Sequence, residues 1–413
     1  MNRLYDICCS VINSNIFLAR IGYGLKYRGN KDKQIEIVNM LSDDEWESLY
    51  CLTKKTIYHE SMMKAYRATY YSLLSKNTNS FDIFNCGVYY YELNDACVYS
   101  GSNVIQKDNR ILINDLCDER VSRVLYANFS AAKAEIGRNL VVAYKREINV
   151  DRGVYIGLSA SLNYYHFVYE ILTRLVAFLK TGAYIDYPIL VDARVSSLEP
   201  LNALLNLVKG THDIVWIDTD TKYRIGSMVY ISPVSHLPTN LKPTKKHIVD
   251  DYSFCYETLW DLREHILTHV DTLYQDADAN EGEMLYLARY ESGFQRLKND
   301  REIAKVFAER GYKVVFPEKL SIYDQIIMFR KARVIAGCEG AAFSNVLFCK
   351  PGTRIICFAP REYNSLFWST HFQTMRLDAV FIDTDICKKS REMAGNELCI
   401  DPRIVLSLLD GEI

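Results

Sequence analysis

The sequence predicts an α/β protein of two Rossmann-like domains facing a cleft, preceded by an extra N-terminal helical and β region. Three observations lead there. From about residue 154, short apolar runs alternate with helical patterns. A segment at 232–248 carrying Pro233, Pro238 and Pro243 interrupts the alternation and reads as a hinge, and a second alternating unit follows it. Within that unit, residues 334–360 (VIAGCEGAAFSNVLFCKPGTRIICFAP) read as strand, small-residue turn, helix, turn and strand.

Taken in order, residues 1–80 read as mainly helical, with Trp46, Leu49 and Leu52 in one apolar patch and Met62, Tyr66, Tyr70 and Leu73 in another. Residues 81–156 change period: short runs such as 87–91, 96–99 and 110–113 are parted by Asn-Asp, Gly-Ser and Asp-Asn turns, which are hairpin signals. Strands are then expected at 154–156, 188–191 and 214–217, with helices from Leu162 and over 198–208. A helix over 256–273 and an acidic link, 276–283, lead to a strand at 284–287. Asn299 and Asp300 cap the next helix, which Gly311 closes. A strand at 313–316 follows, then a helix opened by Ser321 with Asp324 as a capping box, then the strand 334–336. The domain expectation is 1–255 for the N-terminal region with an acceptor-binding domain, and 256–413 for a second domain whose last residues pack back on the first.

Composition narrows the function. About half of the residues are apolar, so two sizeable cores can be built, and 49 basic against 51 acidic residues leave a net charge of −2, which argues against a nucleic-acid binder. Thirty tyrosines suit carbohydrate surfaces and suit an ordinary tyrosine-rich core equally well. Twelve cysteines form no Cys-x-x-Cys pair, and most read as reduced core residues of a cytosolic protein. Neither a signal peptide nor a transmembrane helix is expected, and 7–25 is a candidate amphipathic helix for peripheral membrane contact or an ordinary docked helix.

Several residue patterns carry chemistry. In the helix from Leu162, Asn163, His166, Glu170 and Arg174 recur at intervals of three and four and share one face, while Phe167, Ile171, Leu172, Leu175 and Leu179 cover the rest. A polar stripe on a buried helix lines a cleft or pairs with itself. Arg289 follows the strand 284–287 and Arg296 lies in the next loop, where an open α/β sheet binds its ligand, and arginine is the forked donor for phosphate. The turn at Gly340 and Ala341, leading into Ser344 and Asn345, bares backbone N–H groups at a helix start and suits a phosphate. Glu339 in that turn repels a phosphate unless it serves another partner. The triplets Asp218/Asp220, Asp276/Asp278 and Asp383/Asp385 match a metal-diphosphate pattern but are as frequent as chance allows, and His265/His269 lack a third zinc ligand. No nicotinamide, P-loop, esterase or zincin motif occurs.

Three of these motifs, in this order, resemble the family 61 glycosyltransferases, a group spanning bacterial capsular-polysaccharide enzymes and eukaryotic protein O-glycan and plant xylan enzymes. They are Asn163-Tyr164-Tyr165-His166-Phe167 with Glu170, Leu287-Ala288-Arg289 with Arg296 and Asn299, and 337–342 with Ser344, Asn345, Pro351 and Gly352. The resemblance covers roughly residues 90–360. Phe167 stands where Trp is usual, Asp300 where Glu is frequent, and Glu339 where many members have His. The resemblance implies a GT-B architecture and inverting transfer from a nucleotide-sugar donor, with the nucleotide sugar as substrate, no cofactor and no metal. It assigns Arg289, Arg296, Gly340, Ala341, Ser344 and Asn345 to the donor, Asn163 and Tyr165 to the acceptor, and catalysis to His166, Glu170 and Glu339. The expected acceptor is a glycan or lipid-linked glycan of a capsule or O-antigen type polysaccharide, and the expected location is cytoplasmic. A non-catalytic sugar- or nucleotide-binding component of a polysaccharide assembly complex and a metal-dependent transferase using Asp218/Asp220 are the alternatives.

Overall fold

The computed structural model describes residues 33–50, 53–66, 70–71, 80–113, 118–120, 131–136, 138–157, 160–236, 253–273, 282–293, 295–360, 366–389 and 396–411. The segment 7–25, Leu52, Leu73 and the triplet Asp276/Asp278 lie outside them. The fold is α/β. The described chain divides into two compact units: one holds the residues up to Glu60 and from Cys86 to Cys255, the other Ser61–Asn85 and the residues from Tyr256 onward.

In the first unit, four strands run parallel: β1 (Arg146–Tyr155), β2 (Ile189–Asp192), β3 (Ile214–Ile217) and β4 (Thr221–Ile231), in the order β3-β2-β1-β4. Beyond β4 the sheet turns mostly antiparallel, beginning with the long strand Val88–Tyr99; Gln34–Leu41 and Arg110–Leu112 pair in parallel. The helix expected over 198–208 is Glu199–Val208, and it supplies Leu201, Leu204, Leu205 and Val208 to the interior. Strand order reverses between β1 and β4, since the chain steps outward from β1 to β3 and then returns to the other side.

The expectation of a mainly helical 1–80 is overturned for the described residues. Gln34–Leu41, Lys54–Tyr58 and Ser61–Tyr66 are strands, and Tyr70–Tyr71 is a short one, with a single helix, Asp43–Tyr50, among them. Gln34–Leu41 pairs with Asn139–Tyr144 over six positions, and such long-range pairing outweighs local helical spacing. Trp46, 2% exposed, packs the short helix against the sheet with Leu41, Tyr91 and Leu93.

The second unit holds a parallel sheet of β5 (Glu283–Leu287), β6 (Lys313–Val315), β7 (Ala332–Cys338), β8 (Arg354–Ala359) and β9 (Asp378–Asp383), in the order β6-β5-β7-β8-β9. The strand Tyr70–Tyr71 completes it beside β9. The described residues between Ser61 and Asn85 group with the second unit, whereas the sequence pattern places them with the first. At the chain's end, the amphipathic helix Pro402–Leu409 packs on the helix Asp300–Ala308 and buries Val405 in the second unit's core.

Phe307 lies at the centre of that core, fully buried, its ring 4.8 Å from those of Tyr286 and Tyr312 and 6.0 Å from that of Phe358. Phe307→Ala is expected to destabilise the second unit by about 3–5 kcal/mol. Urea unfolding measures this; a loss below about 1 kcal/mol would mean that the site repacks freely.

Candidate active site

In the second unit, order reverses between β5 and β7, and a doubly wound sheet leaves a crevice beyond the strand ends at such a point. Gly337, opposite Leu287, lets these ends come close: an added Cβ would lie 3.1 Å from Leu287 Cβ and from its carbonyl oxygen. Arg289 leaves β5 here. Its backbone N–H donates to Asp300 at 2.6 Å, and the other carboxylate oxygen of Asp300 accepts from Tyr286 Oη at 2.5 Å. Burial pushes the Asp300 carboxyl above the usual range, and those donors oppose the shift. Asp300 thus anchors the exit of β5, a role that its reading as a helix cap missed. Asn299, read as a side-chain cap, instead bonds the backbone of Ile400, donating to its carbonyl at 2.8 Å.

The Arg289 guanidinium lies over Gly340, where a Cβ would stand 2.5 Å from Nη1, and Gly340 has φ +153°, so no other residue suits the position. Arg289 is half-buried, and no carboxylate of the described residues forms an ion pair with it. Burial, with Arg296 nearby, pulls its pKa down, and Cys338, Glu318 and Asp300 oppose the shift only in part. Arg296 Nη1 lies 3.2 Å from Glu339 Oε1 and donates to the Glu339 carbonyl at 3.3 Å. Glu339 is 7% exposed; burial pushes its carboxyl up and Arg296 partly reverses this. The loop carrying Arg296 is bonded to the strand Glu397–Cys399, whose hairpin is closed by a Cys387–Cys399 disulfide. The reduced reading fits the buried Cys97, Cys255, Cys338, Cys349 and Cys357 and not this pair, whose Cα atoms the hairpin brings within 6.2 Å.

After Gly340 the expected α-helix is a 3-10 helix, Ala341–Phe348, whose Phe343, Val346, Leu347 and Phe348 are all buried. Ala341 lies at its partly exposed start. The Ser344 and Asn345 side chains are wholly buried, and Asn345 Nδ2 donates to Gln325 at 2.7 Å. Arg289, Arg296, Glu339, Gly340 and Ala341 therefore come together, while Ser344 and Asn345 turn into the core.

In the first unit, the helix 164–180 begins with the Asn163 side chain accepting from Tyr165 N at 3.0 Å. Its middle, Phe167–Leu172, is a π-helical stretch between α-helical ends. Such wide turns re-aim side chains and recur at functional sites. His166 Nδ1 is 2.7 Å from Glu170 Oε2, and Glu170 Oε1 accepts from Ser235 Oγ at 2.7 Å. The carboxylate fixes the proton on Nδ1, and the imidazole, 37% exposed, offers Nε2 as a proton acceptor. Tyr165, 7% exposed, stacks on Tyr169 at 5.0 Å.

Arg174 does not continue the stripe. It is 1% exposed, donates to Gly157 O at 2.7 Å and to Ile231 O, and lies over the Tyr230 ring at 5.3 Å. Those carbonyls follow β1 and end β4, so Arg174 closes the reversal point of this sheet. Ser235 escapes detection from the sequence because nothing local marks a serine 65 residues from its partner. Its position just after β4 is the available signal.

The remaining candidates have structural partners. Asp218 pairs with Arg146 at 3.3 Å, and Asp220, at φ +56° in a turn, faces Lys33 and Lys145 at 3.8 and 3.7 Å. Asp383 ends β9 and Asp385 opens the strand Asp385–Lys388. His269 Nδ1 bonds the carbonyl of His265 at 2.9 Å. Among the described residues, no three His, Cys, Asp or Glu are grouped to hold a metal ion, and no helix is long and apolar enough to cross a membrane.

A family model described as Glycosyltransferase 61 matches residues 164–356. That range takes in every candidate discussed above from Tyr165 to Asn345, with Asn163 just outside it. No curated protein matches the chain.

A pH test follows from Asp192, at the end of β2. Burial alone would raise its carboxyl, but hydrogen bonds from Arg194 (2.6–3.0 Å) and from Ser161 Oγ (3.0 Å) outweigh it and hold the carboxyl below the usual range. A depressed folded-state pKa contributes stability above the unfolded value, about 3.9, that is lost as pH falls through the folded value. Asp192→Asn is expected to lower the thermal midpoint at pH 7, with the gap to wild type narrowing below about pH 4. A gap that stays constant down to pH 3 would contradict the assignment.

Proposed function

We propose that the chain, whose residues 164–356 match the Glycosyltransferase 61 family model, is an inverting glycosyltransferase of that family. It moves a sugar from a nucleotide-sugar donor to a hydroxyl of a glycan or lipid-linked glycan acceptor, in the synthesis of a capsule or O-antigen type surface polysaccharide. The proposal includes a GT-B arrangement, with the donor on the second unit and the acceptor on the first, and a cytoplasmic enzyme with peripheral membrane contact.

One observation carries the donor reading. Arg289 makes no ion pair with a described carboxylate at the reversal point of the second unit's sheet, with Glu318 and Asp300 acting on it only at longer range, against a glycine whose absent side chain leaves the backbone bare. A half-buried arginine whose fork holds no carboxylate is matched by an anionic ligand, and a diphosphate fits that fork. Arg289, helped by Arg296 and the N–H groups from Gly340 and Ala341, would stabilise the leaving diphosphate in place of a metal ion.

His166 is the proposed base. The acceptor hydroxyl attacks the anomeric carbon and its proton passes to Nε2. The bond from that carbon to the diphosphate oxygen breaks, and the electron pair leaves with the nucleotide. Glu170, held by Ser235, orients the ring and balances the imidazolium that forms. Glu339 is the weaker candidate, because it is buried and engaged with Arg296. Asn163 and Tyr165 contribute to the acceptor side chiefly by fixing the first turn of the His166 helix.

Arg289→Ala is expected to weaken the best nucleoside diphosphate about tenfold or more by calorimetry. Unchanged affinity would put the phosphates elsewhere. His166→Ala is expected to cost on the order of 10²–10⁴ in turnover with donor affinity kept. If that variant retains most of its turnover while Glu339→Gln abolishes it, the base is Glu339. Turnover is expected to persist in EDTA; loss restored by Mn²⁺ would favour a metal-dependent reaction.

A further inference from the structure

Glu339 is a carboxylate in a place where a phosphate is expected, and its bond to Arg296 is poor. Charge-assisted N–H to carboxylate bonds run at about 2.7–2.9 Å and arginine prefers two of them. Arg296 offers Glu339 one nitrogen, at 3.2 Å from Oε1, and shares that nitrogen with the Glu339 carbonyl at 3.3 Å. Elsewhere the protein makes such contacts well. Arg194 forks onto Asp192 at 2.6 and 3.0 Å, and Asp300 accepts at 2.5 and 2.6 Å. Both members of the loose pair are buried, their side chains 15% and 10% exposed.

We propose that Glu339 is a placeholder for the donor's phosphate: in the free protein it occupies Arg296, and a bound diphosphate takes that guanidinium over and displaces the carboxylate. This rests on the donor reading of Arg289 given above. It resolves the conflict of a carboxylate beside a phosphate site. Without a ligand, Glu339 offsets one of two neighbouring arginines, which would otherwise repel each other in a half-buried turn. With the ligand, both arginines face phosphate oxygens. The exchange also links occupancy to chemistry, because only a bound donor releases the Glu339 carboxylate to accept a sugar hydroxyl.

The test is calorimetry on the full chain with inorganic pyrophosphate and with UDP, GDP, CDP and TDP. The proteins are wild type, Arg289→Ala, Arg296→Ala, Glu339→Gln and the Arg296→Ala/Glu339→Gln double variant. Glu339→Gln is expected to bind pyrophosphate about tenfold more tightly than wild type, because the competing charge is gone. It is expected to melt no earlier without ligand, because Arg296 only partly offsets the cost of burying the Glu339 charge. In the Arg296→Ala background the same substitution should change affinity less than about twofold, as a double-mutant cycle requires if Glu339 acts through Arg296. A purely structural pair would lose both stability and affinity. Should Glu339→Gln fail to fold, a crystal structure of wild type with pyrophosphate decides: Arg296 and Glu339 are expected beyond about 4 Å apart, past ion-pair distance. Unchanged or weakened binding in Glu339→Gln, or a pair still intact beside bound pyrophosphate, overturns the exchange; if Arg289→Ala still weakens binding, the donor reading survives. No binding by wild type, or binding indifferent to Arg289, overturns both.

Discussion

In a parallel sheet every strand delivers its carbonyl end to the same edge, and where the strand order reverses the connections diverge and leave a gap. Both sheets of this protein have one such gap, and each holds an arginine used differently. At β1 and β4, Arg174 is spent on two carbonyls, and the candidate pair Glu170 and His166 lies one helical turn up. At β5 and β7, Arg289 is anchored through its backbone, by Asp300, and its guanidinium makes no ion pair with a described carboxylate. The same residue type thus gives a plug in one sheet and an open cation in the other, and the difference lies in where the donors' partners are.

Much of the alternating architecture is legible in the sequence, because parallel strands are read by apolar runs and their helices by caps. Ser321 caps as its spacing with Asp324 predicts, and the helix starting at Glu199 and the strand Ile214–Ile217 fall where periodicity puts them. The N-terminal segment is not legible. Gln34–Leu41 owes its conformation to Asn139–Tyr144, a hundred residues away, and no local window contains that partner.

The candidate residues are legible as residue types and less so as roles. Of the groups expected to share a helix face, His166 and Glu170 pair, while Arg174, beyond the π-helical stretch, turns to the carbonyls of Gly157 and Ile231. Ser344 and Asn345 look like polar groups at a phosphate turn, but the tight 3-10 geometry turns their side chains inward. Ser235 and Asp300 are the converse case: ordinary in sequence, yet each holds a candidate group through one short bond. Sequence spacing reports which side chains are near one another along a regular helix, and both candidate regions are built where the helix is irregular.

The detour of residues 61–85 into the second unit has a consequence for how this chain can be made and handled. The strand Tyr70–Tyr71 covers the outer edge of β9, yet it emerges from the ribosome some three hundred residues earlier. It must wait, unpaired, through the synthesis of nearly the whole chain. A fragment cut after Cys255 would leave the later half with a bare parallel edge, the kind of surface that templates aggregation. The two units are therefore not modules that recombination or cloning can separate at a single cut. A workable dissection would have to carry the early segment across, as a circular permutant or as two co-expressed pieces.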